Sequence, residues 1–381
     1  MCIRDSIAIS QKISPFTIKE IKVFSYLGIG YFIAVCLSVL FSGQARELSH
    51  YIARDLYFLL APFIALAIYK SEINLNYLIV GTKISLLVLS IIVFFGISNG
   101  DLTGVMNPII FGNLAVLLFF IVLVLSQGEL LKHRIFTIAS LSCGFFAIIG
   151  ASSRGSWLSF LLLLSVYFYF LYKQKNKYKN KIKFIFIFAI LSLFLLGFFN
   201  QTVNTRVTDA FSQSISYITE KEEPRLGYVD YGVQLSVNSV NERLVMYRAG
   251  INNIADVPFF GYGYRTSNVV LFQNDTSIFG RAAVGYNHLH NGYLTSYYNG
   301  GIVLLSALLL ILFIPLKKFI KANNHDRKNP LFILGALLIL GYASFGLVNI
   351  LLGDTYMNGF YVFFLAIFLL QTNKSLKASE V

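Results

Sequence analysis

The chain has 381 residues, 56% of them hydrophobic and only 13% charged, with a mean hydropathy of +0.67. A soluble domain carries about a quarter charged residues, so a soluble globular enzyme is excluded. The net charge of +13 lies mostly in short lysine loops between apolar runs, which orient membrane helices and leave no nucleic-acid footprint.

The opening MCIRDS is out of keeping with the apolar segments after it and reads as a cloning or gene-model scar. Runs of roughly 20 apolar residues then recur, the length that crosses a bilayer as a helix. Lipid offers the backbone no hydrogen bonds, so repeated apolar runs predict a helical bundle, and the alternation of a membrane barrel is absent. Ten spans are predicted: Phe24–Ser42, Leu56–Tyr69, Tyr77–Ser98, Pro108–Ser126, Ile135–Gly150, Trp157–Tyr172, Phe184–Phe199, Gly292–Pro315, Leu331–Leu351 and Phe360–Leu370. Cys36 and Cys143 fall inside them as packing residues, and three cysteines are too few for a disulfide framework. The loops KQKNKYKNKIK (173–183) and LKKFIKANNHDRKN (316–329) carry six lysines and five basic residues. Both are expected in the cytoplasm, which puts both termini there too. The chain thus divides into an amino-terminal bundle (1–199), a large outer loop (200–291) and a carboxy-terminal set of helices with a cytoplasmic tail (292–381).

On this map only Lys221 of nineteen lysines lies outside, whereas nine of twelve arginines do: Arg46, Arg54, Arg154, Arg206, Arg225, Arg243, Arg248, Arg265 and Arg281. The guanidinium fork matches phosphate and carboxylate and keeps its charge when partly buried, so an anionic ligand on the outer face is expected. Within the outer loop, residues 241–254 read as a helix with an apolar stripe of Val240, Leu244, Tyr247 and Ile251. Val257-Pro258 and the glycines at 261 and 263 then form a tight turn, giving a lid-like subdomain.

Three stretches carry candidate chemistry. In ASSRGSW, Arg154 sits at an outer helix end among small residues that allow close approach; a charge there is expensive unless it is used. In NERLVMYR, Arg243 and Arg248 are five apart and point in different directions on a helix; periodicity alone does not choose between them, and Glu242 reads as an ordinary surface partner for a neighbouring base. In NHLHNGYL, Asn291 is a good helix N-cap, which puts His290 at a helix entrance where a neutral imidazole can accept a hydroxyl proton. H-x-H can chelate, but no third ligand is nearby, so no metal and no cofactor are expected. Asp354 reads as a cavity residue or a cap, and Asp101 as a turn residue. No phosphate loop, Ser-His-Asp signature or zinc spacing occurs.

Taken in order, SRGSW, NERLVMY…VPFFGYGY and HLHNGYL…NGG resemble the motif set of the O-antigen ligase and polymerase family, over about residues 145–310. The resemblance implies an all-helical membrane fold of the GT-C type with a large periplasmic loop, in the bacterial inner membrane. It implies a metal-independent glycosyltransferase that moves glycan from undecaprenyl diphosphate. The acceptor would be lipid A–core for a ligase or a carrier-linked repeat unit for a polymerase. Residue by residue, Arg154 and Arg243 would hold the diphosphate, and His290 would orient or deprotonate the acceptor hydroxyl. His288, Asn291, Arg248 and Arg265 are supporting candidates. Tyr247 stands where the family often has Trp. Family members often have about twelve spans, so two are expected to be missing at the amino end. The competing class is a lipid-linked glycan flippase or transporter, which should show charges along its spans.

Overall fold

The computed structural model describes residues 14–16, 18–43, 49, 52–71, 73–99, 106–126, 131–173, 208, 212, 215, 239–275, 283–325 and 329–380. Among these residues the only regular structure is helical: α1 (Lys19–Phe41), α2 (Leu56–Ser71), α3 (Leu75–Asn99), α4 (Pro108–Leu125), α5 (Leu131–Gly150), α6 (Arg154–Lys173), α7 (Ser239–Asn252), α8 (Ser267–Phe272), α9 (Gly292–His325), α10 (Pro330–Phe345) and α11 (Thr355–Glu380). Short 3₁₀ turns lie at Ala53–Asp55 and Ile254–Asp256. Seven of the helices are long and apolar enough to cross a membrane, and Pro330–Phe345 is a shorter apolar one. The chain is an all-α polytopic membrane protein. Every predicted span overlaps a described helix except Phe184–Phe199, which lies outside the described residues, as do Arg46, Asp101, Arg206, Lys221, Arg225 and Arg281.

α4 and α10 are apolar around most of their circumference and buried along nearly their whole length, as helices at the centre of a bundle must be. α4 packs on α3, α5, α6 and α10. α1 packs on α2 and α9, and α11 on α2 and α10. Phenols inside the bundle find main-chain acceptors: Tyr342 donates to the Met357 carbonyl and Tyr361 to that of Ile311, both at 2.6 Å. One charge does lie within a predicted span: Lys83 in α3 is buried, its Nζ 5.5 Å from the centre of the Phe136 ring.

Three differences from the expected boundaries shape the site end. α10 stops at Phe345 instead of Leu351, because the next residues turn back and lend their carbonyls to other elements: Gly346 accepts from the Gly292 amide at 2.7 Å. α11 begins at Thr355, where Asp354 caps it by accepting from the Tyr356 and Met357 amides, so Asp354 is a cap. α9 runs on through Pro315 to His325, and it is broken at Gly300 and Gly301 (φ 60°, ψ −157°).

That break is filled by the outer turn. The amides of Tyr262 and Gly263 donate to the Tyr298 and Asn299 carbonyls at 2.8 and 3.0 Å, and the Ser38 hydroxyl of α1 also donates to Asn299. The carbonyls that a continuous helix would pair internally are thus paired from outside. Gly301 is required twice over: its φ is left-handed, and a Cβ there would lie 1.9 Å from the Phe259 carbonyl oxygen.

The described parts of the predicted outer connections meet at one end of the bundle. Asn358 of α11 donates to Arg54 and Asp55 before α2, Tyr264 of the loop reaches Asp55, and Tyr247 of α7 reaches the turn after α10.

Candidate functional site

α5 ends at Gly150 and α6 starts at Arg154, with Ser152 in the left-handed region (φ 54°) to reverse the chain. The reversal is stapled on both sides. The Trp157 indole donates to the Ile148 carbonyl at 2.9 Å. The Ser156 hydroxyl donates to Asn113 Oδ1 of α4 at 2.8 Å and lies 3.0 Å from Ser153 Oγ. Gly155 has no space for a side chain, since a Cβ would come within 2.6 Å of Val348. So the small residues of ASSRGSW bring the turn after α10 against Arg154.

Arg154 lines a cavity of about 180 Å³ together with Pro108, Ile109, Ser152, Ser153, Gly155, Val348 and Arg243. Its Nε and Nη1 are shielded from solvent. Pro108 and Ile109 are the first residues of α4, and Arg154 and Gly155 the first of α6. Two helix N-termini thus open on the cavity that holds two guanidiniums; at α4 Pro108 has no amide hydrogen and the Ile109 amide is taken by Asn107 Oδ1, so that end offers its dipole. Each of the four features favours an anion.

α7 brings Arg243 there. Its inward face is not the predicted stripe. Met246 and Gly250 are buried, Tyr247 is half-buried and Ile251 is 57% exposed. Arg243 lies three, four and seven residues before Met246, Tyr247 and Gly250, so it shares their face. Arg248 does not and is exposed. The stripe failed because Met246 packs with Phe272, Ala283, Leu289 and Tyr298 beneath the loop, a contact set that local spacing does not reveal. Nor is Glu242 a simple surface partner: burial raises its carboxyl pKa, and the Tyr286 hydroxyl lies 3.5 Å away.

Asn291 caps α9 as expected, accepting from the Tyr293 and Leu294 amides at 3.0 Å. His290, just before it, is left-handed (φ 53°), a conformation costing a non-glycine residue about 1–2 kcal/mol. Two contacts hold it. Its amide donates to His288 Nδ1 at 3.1 Å, and its carbonyl accepts from the Tyr247 hydroxyl at 2.7 Å, a proton shared with the Leu347 carbonyl at 3.0 Å. With Nδ1 accepting, neutral His288 carries its proton on Nε2. The two imidazoles meet edge to face with centres 4.3 Å apart. Burial, then the nearby His288, then the Arg243 charge pull the His290 pKa down to about 3. Burial and the charges of Arg243 and Arg265 take His288 to about 4. Both rings are neutral at ordinary pH. Arg265 is left-handed too (φ 62°) and acts on His288 only through its charge.

The sequence reading missed Asp55. It is fully buried, accepts from Asn358 Nδ2 at 2.9 Å and from the Tyr264 hydroxyl at 3.3 Å, and burial lifts its pKa to about 6 against the opposing charge of Arg54. The Arg54 guanidinium sits 5.0 Å from the centre of the Tyr264 ring. An acid at the mouth of an apolar run was the available signal. Among the described residues no group of three or more His, Cys, Asp or Glu side chains converges as metal ligands would.

The fold and this site define a multi-pass helical membrane protein that gathers cations, helix N-termini and neutral imidazoles at one end of its bundle. Residues 138–310, from α5 into α9, match the family model described as O-antigen ligase, which supports the expected kinship with O-antigen ligases and polymerases. The matched region contains Arg154, Arg243, His288 and His290. A search of curated proteins gave no match. The match supports a role in O-antigen ligation or polymerisation, and with the apolar helices it suggests a multi-pass bacterial membrane protein with a glycosyltransferase-like activity.

Proposed function

We propose that the chain transfers a glycan from undecaprenyl diphosphate to an acceptor hydroxyl at the periplasmic face of the inner membrane, without a metal. The single observation that carries this reading is the cavity where Arg154, Arg243 and the N-termini of α4 and α6 converge. A diphosphate fits that donor set, and its negative charge grows as the bond to the sugar breaks. Fixed cations and amide dipoles in a water-poor site stabilise such a leaving group without reorganising.

In the proposed step the acceptor oxygen attacks the anomeric carbon, the carbon–oxygen bond to the diphosphate breaks, and undecaprenyl diphosphate leaves. The acceptor proton passes to His290, which is neutral and able to take it. A base of such low pKa is weak in the free protein. A bound diphosphate cancels the Arg243 charge that helps depress it, so donor binding raises the basicity of His290 when it is needed. His288, Asn291 and Tyr247 position His290, and Arg265 contributes charge nearby.

The test is reconstitution in liposomes with an undecaprenyl-diphosphate oligosaccharide, with and without lipid A–core. Glycan on the lipid A–core identifies a ligase. A ladder of longer carrier-linked chains identifies a polymerase. The absence of both products, with the glycan moved intact across the bilayer, would replace the reading with a flippase.

A further inference from the structure

The outer turn 257–260 carries an exposed aromatic that neither the cavity nor the histidines use. Phe259 is 65% exposed. Its ring meets Phe260 edge to face at 5.0 Å, and Phe260 stacks on Phe41 at 4.2 Å with the planes 9° apart. Phe41 is the last residue of α1 and is itself 64% exposed. Residues 257–264, VPFFGYGY, contain no charge.

The depth of this cluster can be read from the helices beneath it. The apolar run of α1 is Ile21–Phe41, 21 residues; at 1.5 Å per residue it spans about 31 Å, the thickness of the hydrocarbon layer. Phe41 therefore stands at the margin of that layer. Ser38, one turn inward, bonds to Asn299 beside the break in α9, and the Phe259 carbonyl occupies the space that a Cβ on Gly301 would need. The next residue, Ile302, is 44% exposed. Phe259 thus lies where two packed helices meet: through Phe260 it adjoins Phe41 of α1, and its carbonyl faces Gly301 of α9.

We propose that this turn is a membrane anchor, with Phe259 inserted among the acyl chains of the leaflet at the site end. Water would be a poor solvent for three contiguous apolar side chains at this level. The anchor fixes the height of the outer subdomain, because the same turn supplies the amides that fill the break in α9. It also fixes the height of His290 above the bilayer. The inference does not depend on which reaction the site performs.

The test uses the full chain in liposomes with acyl chains brominated near the glycerol, carrying Phe259→Trp or, as a depth reference, Phe41→Trp. Trp157 is the only tryptophan, so the unmodified protein supplies the background. Phe259 is 65% exposed, so the larger ring can be accommodated beside Phe260. Expected are blue-shifted emission and comparable loss of fluorescence to lipid bromine for both variants, with iodide in the water leaving both unchanged. The proposal is overturned if lipid bromine leaves Phe259→Trp unquenched. Iodide quenching would then mean that water bathes the turn. Quenching by neither would mean that protein, such as a second copy of the chain, covers it.

Discussion

The middle of the bundle and its site end handle the backbone differently. In the middle, α4 and α10 satisfy their main-chain groups internally and bury apolar side chains on nearly every side. At the site end the helices stop, break or turn, and their loose carbonyls and amides are paired by distant segments: Gly346 with Gly292, Tyr298 with Tyr262, His290 with Tyr247. Among the described residues, the three non-glycine residues with positive φ, Ser152, Arg265 and His290, all lie there. Strain at the end of the bundle is held by hydrogen bonds between elements, and the elements are held by the quiet middle. The comparison explains how a bundle with few charges presents a polar site.

The largest test of this division is on the side chains that the strained end presents. Arg154→Ala, Arg243→Ala and His290→Ala should each cut transfer by about 100- to 1,000-fold, the range for lost charge stabilisation or proton transfer, with insertion and melting temperature unchanged. Arg248→Ala, on the exposed side of α7, should stay near the unmodified rate. Equal losses for Arg243 and Arg248 would mean that α7 does not present one face to the cavity.

Asp55 separates the two regions by pH. Its pKa rises from 3.8 to about 6 on folding, so the folded state holds the proton more tightly. The stability it contributes is fully present below pH 3.8 and lost as pH rises through about 6. A shift of about two units corresponds to roughly 3 kcal/mol. The unmodified protein should lose that much relative to Asp55→Asn between pH 4 and 7, measured by thermal melting in detergent. Parallel curves would show that Asp55 is not held protonated.

Gly301→Ala sets the break against a continuous helix. The left-handed φ and the contact with the Phe259 carbonyl should cost about 1–3 kcal/mol of stability. An unchanged melting temperature would mean that the turn is not locked into α9. A smaller effect is expected from Tyr247→Phe, which removes a hydroxyl shared between the His290 and Leu347 carbonyls, worth about 1 kcal/mol. Loss of kcat with KM retained would mark a positioning role; a purely structural role would lower the melting temperature and leave kcat alone.

Much of this was legible beforehand. Apolar run length placed the spans, and Asn291 announced the start of α9, because both are local rules. What escaped depended on partners far away in sequence. LVNILL after Phe345 is apolar enough to read as membrane, yet it becomes a wall of the cavity because Gly292, Tyr247 and Gly155 dock against the turn. Asn-Gly-Gly at 299–301 carried the cue for a break, since glycine disfavours helix by about 1 kcal/mol per residue, but the segment that fills the break lies forty residues earlier. The choice of Arg243 over Arg248 rested on Met246, whose partners come from α8, α9 and the loop between them. The joint contribution of the α4 and α6 N-termini required knowing that two separate helices begin at one place.

The bond from Asn358 to Asp55 has a consequence for how the protein is made. The two residues are 303 positions apart, and a ribosome adding about 5–20 residues per second needs roughly 15–60 s to get from one to the other. Throughout that interval the carboxyl stands at the lip of the nascent bundle without the amide that will cover it. Only when α11 is made can the Asn358 amide reach Asp55 and close this corner. A chain that stalls before its last helix therefore leaves this carboxyl without the amide partner that burial requires.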